Sequence, residues 1–349
     1  MWGAVGTMSD NGFNIPGVPR GFFASQYISP LRYPGSKRLL VPILEALVRA
    51  NVPPPRLFVE PFCGGATASL RLAGTGAAHE IFLADLDPLV ATFWRIAAFD
   101  TEWLVDAMQD EPVTVDRWDY WRGSEPSAER DLALKCLFLN RTTFSGILHG
   151  WAGPIGGRKQ QSPHKIDCRF PKATLATRIR AIGALASAGH VADVVCGDYE
   201  AVLVGVRRRW PQLADDEVVL YLDPPYVKKA RKLYGWAFDD EEHTRLANVL
   251  RFCHYRWVLS YDDHPVIRSR YCLNKGRGGL IRQLIAERLY TAAGGPKRET
   301  GSELILTNFP RIPSSELYRQ DESAGERLAS TMSQAAVSLD DEVAREVRA

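Results

Sequence analysis

The chain has no Cys-x-x-Cys pair and no His-Glu-x-x-His, although it holds six cysteines and seven histidines in 349 residues. Without those spacings nothing points to a structural zinc or a catalytic metal, and no metal is expected. The cysteines (Cys63, Cys136, Cys168, Cys196, Cys253 and Cys272) stand far apart, a pattern that fits reduced, mostly buried thiols. No apolar run reaches the ~18 residues of a membrane span. The first 25 or so residues show no apolar segment of the signal-peptide kind. A cytoplasmic protein without a membrane partner is the expectation. A large excess of one charge is also missing: the formal net charge is +2, so any surface for a polyanion must be local. An apolar content of 46% and a charged content of 24% are ordinary for a globular chain.

What is present is concentrated in Asp223-Pro224-Pro225-Tyr226. The preceding run, Val218 to Leu222, is apolar and β-branched and predicts a fully buried strand. A carboxylate therefore stands at the carboxyl end of a buried strand, where open α/β sheets bind ligands. Two prolines then fix the backbone and remove two N–H donors. Carboxylate, rigid carbonyl and aromatic ring together suit the gripping of a planar base through its exocyclic amino group.

Strands are expected at Leu57–Glu60, Ile81–Asp85, Val191–Cys196, Val218–Asp223, Trp257–Ser260 and Leu304–Thr307. Helical patterns occupy about 37–50, 66–73, 88–99, 173–188, 240–254 and 264–271. This alternation predicts a doubly wound, mostly parallel sheet. Between Phe99 and Val191 no comparable strand occurs, and a helical pattern near 130–140 precedes a Gly/Pro-rich stretch, Gly150–Gly157. The expected organisation is a loose arm over 1–25, a catalytic domain from 26–99 and 190–310, an inserted lobe over 100–189, and a flexible tail over 311–349.

Cys63-Gly64-Gly65 follows the first strand, where a missing Cβ lets the backbone approach a ligand. Asp85 ends the next strand about twenty positions later, the spacing at which an acid takes ribose hydroxyls. A full GxGxxG is absent, which favours a nucleoside cofactor without pyrophosphate, and S-adenosylmethionine is the candidate. Asp87-Pro88 reads as a helix start. Asp198 either accepts the adenine amino group of that cofactor or caps the helix beginning at Tyr199. Arg207-Arg208-Arg209 suits the C-terminal end of the same helix.

In this order the pieces resemble the DNA adenine methylase (Dam) family, the D12 class of N6-adenine methyltransferases, from about Leu31 to Phe309. Arg32-Tyr33-Pro34-Gly35-Ser36-Lys37 is similar to the family's opening motif, which implies that Tyr33 and Lys37 lie at the methionine end of the cofactor. Phe58 to Gly65 resembles the cofactor loop, with Glu60, Phe62 and Gly64 as its contacts; Cys63-Gly64-Gly65 is a variant of the usual glycine pattern. Ala84-Asp85-Leu86-Asp87 and Leu259-Ser260-Tyr261-Asp262 resemble two strand-end motifs. Leu139-Asn140-Arg141-Thr142 resembles the Asn-Arg segment of the recognition lobe, which implies DNA contacts by Asn140 and Arg141. The resemblance implies a Rossmann-like methyltransferase fold with an inserted, mainly helical DNA-recognition lobe.

The chemistry implied is methyl transfer to N6 of a flipped-out adenine in double-stranded DNA. Asp223 and Pro224 would accept the N6 hydrogens and Tyr226 would stack on the base. Lys228 and Lys229, directly after the motif, either clamp phosphates or form a solvated loop. An RNA base methyltransferase and an inactive DNA-binding relative are the alternatives; a cytosine-N4 enzyme is disfavoured because Asp, not Ser, leads Pro-Pro-Tyr.

Overall fold

The computed structural model describes residue 13 and residues 15–25, 28–32, 40–51, 53–225, 238–271, 275–276, 279–290 and 299–320. Its centre is an eight-stranded sheet in the order β10-β8-β9-β5-β4-β1-β2-β3. Five strands are parallel: β1 (Leu57–Glu60), β2 (Glu80–Asp85), β3 (Val191–Cys196), β4 (Val218–Leu222) and β5 (Arg256–Asp262). A two-stranded hairpin, β6 (Lys275–Gly276) and β7 (Gly279–Leu280), precedes an antiparallel extension. The extension comprises β8 (Arg282–Tyr290), β9 (Glu299–Thr307) and the edge strand β10 (Arg319–Gln320).

All four residues of β1 and all five of β4 are buried, as a parallel strand covered on both faces requires. Alternate side chains feed two cores. Phe58, Val219, Tyr221 and Val258 join one face. Leu57, Val59, Leu220, Leu222, Trp257 and Tyr261 join the other. The first face carries α1 (Val41–Ala50), α2 (Thr67–Gly74) and α3 (Pro88–Phe99). The second carries α8 (Tyr199–Arg209), α9 (Asp240–Phe252) and α10 (Pro265–Arg270). The order β3-β2-β1-β4-β5 reverses direction between β1 and β4, which opens a crevice at their carboxyl ends.

Between α3 and β3 lie α4 (Thr101–Asp110), α5 (Val115–Gly123), α6 (Glu129–Thr142) and α7 (Lys172–Ser187). Trp118, Trp121, Leu137 and Phe138 from this stretch share the core of Phe58 and the first-face helices. The helix starts follow their sequences. Asp87 accepts from Leu89 N at 2.9 Å before Pro88 opens α3, and Asp239 accepts from Glu242 N at 2.8 Å before α9.

Two stretches expected to be loose carry packed residues. Ile15 and Phe23 are buried, and a Cβ at Gly74 would lie 2.1 Å from Phe23 Cγ. Glycine there lets the N-terminal segment settle on α2. In the expected tail, Tyr318 is buried and β10 pairs with β8; residues from 321 onward lie outside the described residues. Among the described residues no helix is long and apolar enough to cross a membrane.

Candidate active site

The loop from β1 to α2 is bent by two left-handed residues, Gly64 at φ 42° and Ala66 at φ 45°. Alanine is seldom found there, so the surroundings must hold it. Cys63 N donates to Ala84 O at 2.9 Å, and Trp94 Nε1 donates to Gly64 O at 2.8 Å. Gly64 N donates to Asp85 Oδ2 at 2.9 Å. The loop is thereby tied to the end of β2.

Three carboxylates gather at this edge: Glu60 ending β1, Asp85 ending β2, and Asp223 directly after β4. Glu60 is 4% exposed, accepts from Ser69 N at 3.2 Å and from Ser69 Oγ, and feels the charges of Asp223 and Asp85. Burial, more than those neighbours, pushes its carboxyl up to about 8. Asp85 Oδ1 accepts from Asp87 N at 2.9 Å, and burial pushes Asp85 up to about 7. Among the described residues neither Glu60 nor Asp85 forms an ion pair. Asp223 is half-buried; Ser260 Oγ donates to its Oδ1 at 3.0 Å and lies 3.1 Å from the buried Tyr221 hydroxyl. Pro224 is buried, and among the described residues no donor reaches its carbonyl.

Two buried acids, Glu60 and Asp85, that have no basic partner among the described residues suit a cation. The residues therefore fit a sulfonium cofactor with a ribose and an ammonium group.

The remaining expected residues divide. Phe62 packs on Tyr199 at 5.6 Å and on Phe238 at 5.7 Å between ring centroids, beside the loop. Asp198 caps α8, its Oδ1 accepting from Glu200 N at 2.9 Å and Ala201 N at 3.3 Å, and Arg207 to Arg209 fill the last turn of that helix. Asp87, besides capping α3, lies 2.7 Å through Oδ2 from His149 Nε2. Asn140 and Arg141 lie in the last turn of α6 and are both buried. Asn140 Oδ1 accepts from Arg32 N at 2.6 Å, and its Nδ2 donates to Arg32 O at 2.8 Å and Gly146 O at 3.2 Å, so its amide holds backbone. Tyr33, Lys37, Tyr226, Lys228 and Lys229 lie outside the described residues. Ser260 was visible in the sequence as part of a strand-end motif, but its hold on Asp223 depends on β4 and β5 being neighbours. Among the described residues no group of histidine, cysteine and carboxylate side chains could hold a metal ion.

A mostly parallel core of five strands with acids gathered at its reversal point places them where open α/β sheets bind ligands. The family model of D12 class N6 adenine-specific DNA methyltransferases matches residues 33–274, most of the chain, and the chain belongs to that family. It is a transferase that methylates adenine N6 in DNA, and membership implies S-adenosylmethionine as the methyl donor. No individual curated protein matches the chain.

Proposed function

We propose that the cofactor lies across the carboxyl ends of β1 and β2 and that the target adenine, flipped out of duplex DNA, enters beside β4. The observation carrying this reading is the convergence of Glu60, Asp85 and Asp223 on adjacent strand ends. Asp85 takes the ribose hydroxyls, Asp198 the cofactor's adenine amino group through the oxygen not used for capping, and Glu60, Phe62 and Gly64 line the loop side. Tyr33 and Lys37 close the methionine end. Bound there, S-adenosylmethionine supplies an electrophilic methyl group on a positively charged sulfur.

The amino nitrogen of adenine is a weak nucleophile because its lone pair is delocalised into the ring. Asp223 and the Pro224 carbonyl each accept one N6 hydrogen, which draws the nitrogen toward tetrahedral geometry and frees the pair. Asp223 and Pro224 would hold that nitrogen facing the cofactor's methyl group, whose bonding pair would leave on the sulfur as the nitrogen takes the methyl. An ordinary carboxylate, with a pKa of ~4, is too weak to deprotonate the neutral amine beforehand, so the proton leaves with or after the methyl transfer. Ser260 fixes one oxygen of Asp223, and Tyr226 stacks on the base for ~1–3 kcal/mol. Positioning and electrostatics carry the rate.

Residues 26–99 and 190–310 serve as the catalytic domain and 100–189 as the inserted DNA-recognition lobe, working in the cytoplasm with reduced thiols. Lys228, Lys229 and Arg141 engage the DNA backbone, and Asn140 contributes by setting the course of the chain at Arg32.

Nucleoside mass spectrometry on unmethylated DNA, incubated with the protein and S-adenosylmethionine, tests the reading. N6-methyladenine is expected with the natural chain and not with Asp223→Ala. Equal product from both would remove Asp223 from the chemistry.

A further inference from the structure

A second cluster of like charge lies away from the acidic one. Arg32 follows the N-terminal segment, Arg141 lies in the last turn of α6, Arg169 closes the short 3-10 turn Ile166–Arg169, and Arg178 lies on α7. Arg141 is 7% exposed, Arg32 and Arg178 are half-buried, and Arg169 is exposed, so the cluster runs from a buried floor to an open rim. Backbone carbonyls hold it in place. Arg141 Nε donates to Arg169 O at 2.5 Å and its Nη1 to Pro30 O at 3.5 Å, while Arg178 Nη1 donates to Ser29 O at 3.1 Å. Asn140 clamps both the N–H and the carbonyl of Arg32. Gly146, at φ 76°, is needed there, since a Cβ would lie 2.5 Å from Arg32 O.

Among the described residues none of the four arginines pairs with a carboxylate, and Arg32 Nη1 is buried without a hydrogen-bond partner. Burial first, then the charges of Arg32, Arg178 and Arg169, pull Arg141 down to about 9, so it keeps its proton at neutral pH. Holding like charges together with a buried donor unmet is costly unless an anion completes the site. The segment after Arg141 also reaches the cofactor side, where His149 Nε2 lies 2.7 Å from Asp87 Oδ2.

We propose that Arg32, Arg141, Arg169 and Arg178 form a recess that holds one phosphate of the DNA backbone, with Arg141 as floor, Arg32 Nη1 as the waiting donor, and Arg169 and Arg178 as rim. The proposal rests on DNA being the substrate. Its role is to anchor the strand while the adenine is out of the stack, which offsets part of the flipping cost.

The test uses the full chain and an Arg169→Gln/Arg178→Gln variant, which leaves the buried floor intact. Initial rates are measured on unmethylated plasmid DNA over a range of sodium chloride, and S-adenosylmethionine binding is followed by calorimetry. The expected result is a KM for DNA raised about tenfold, the loss of a charge-assisted contact. The plot of log KM against log salt should become shallower by about 0.9 for one phosphate released. Expected kcat and cofactor affinity stay within about twofold of the natural chain. Unchanged KM and salt slope, with the natural chain active, would overturn the recess and leave the methyltransferase reading standing. A fall in kcat or cofactor affinity with KM unchanged would overturn it too, by making the arginines structural. No N6-methyladenine from the natural chain would instead remove the substrate on which the proposal stands. In a second arm, melting is followed with inorganic phosphate at constant ionic strength. Phosphate stabilisation lost in the variant, without any change in KM for DNA, would assign the recess to a free anion and contradict the proposal.

Discussion

The acidic edge of the sheet and the arginine recess are built alike and behave differently. Each gathers like charges from distant segments and gives them hydrogen bonds to backbone. Burial, with neighbouring carboxylates adding to it, pushes Glu60 and Asp85 up to about 8 and about 7, so the acids are relieved by taking up protons. Arg141, pulled down to about 9 by burial and its arginine neighbours, stays charged at neutral pH. The lesson is that one half of the site answers to pH and the other to salt.

The strongest way to sharpen that contrast is Asp223→Ala, which should lower kcat about a thousandfold or more, the scale of losing a preorganised electrostatic contact. Cofactor affinity measured by calorimetry should largely survive. Next, Asp85→Ala should weaken S-adenosylmethionine roughly a hundredfold, through two lost charge-assisted hydrogen bonds. Its effect on DNA affinity, read by anisotropy, should be small, and an unchanged cofactor affinity would take Asp85 out of the site. Ser260→Ala should lower kcat about tenfold with KM for DNA held, since one hydrogen bond to a charged group is lost. Ser260→Thr should restore part of the rate, because a hydroxyl returns.

The smallest effect concerns stability. Glu60 and Asp85 have folded-state pKa values above their ordinary ones, so their contribution is fully present below about 4 and is lost as pH rises through about 7 and 8. The melting temperature of the ligand-free protein should therefore fall between pH 6 and pH 9. Glu60→Gln keeps an acceptor for Ser69 and should flatten that fall; a melting profile identical to that of the natural chain would contradict the buried, protonated Glu60.

Much of the scaffold was legible because buried parallel strands leave continuous apolar runs. Val218 to Leu222 and Leu57 to Glu60 could be read directly, and β2 begins only one residue earlier than expected. Strand β8 was not anticipated. Arg282, Gln283, Leu284, Ala286 and Glu287 are good helix formers, and pairing along the whole of β9 overrides that preference. In the site, Asp85 and Asp223 could be found because strand ends and glycine pairs are local signals. Asp198 was legible as a cap for the same reason. The task of Asn140 was not: its amide engages Arg32 and Gly146, a contact set by tertiary folding. The arginine recess was hidden for the same cause, since its members come from separate stretches and meet only when α6 and α7 pack on α3.

Whether the buried acids receive a cation is read most directly by calorimetry. S-adenosylmethionine is titrated into the natural chain and into Glu60→Gln/Asp85→Asn between pH 6 and pH 7.5, in buffers of different ionisation enthalpy. Binding should tighten as pH rises, with protons released by the natural chain and fewer by the variant. Affinity independent of pH, or the same proton release from both proteins, would contradict a cation held by these acids.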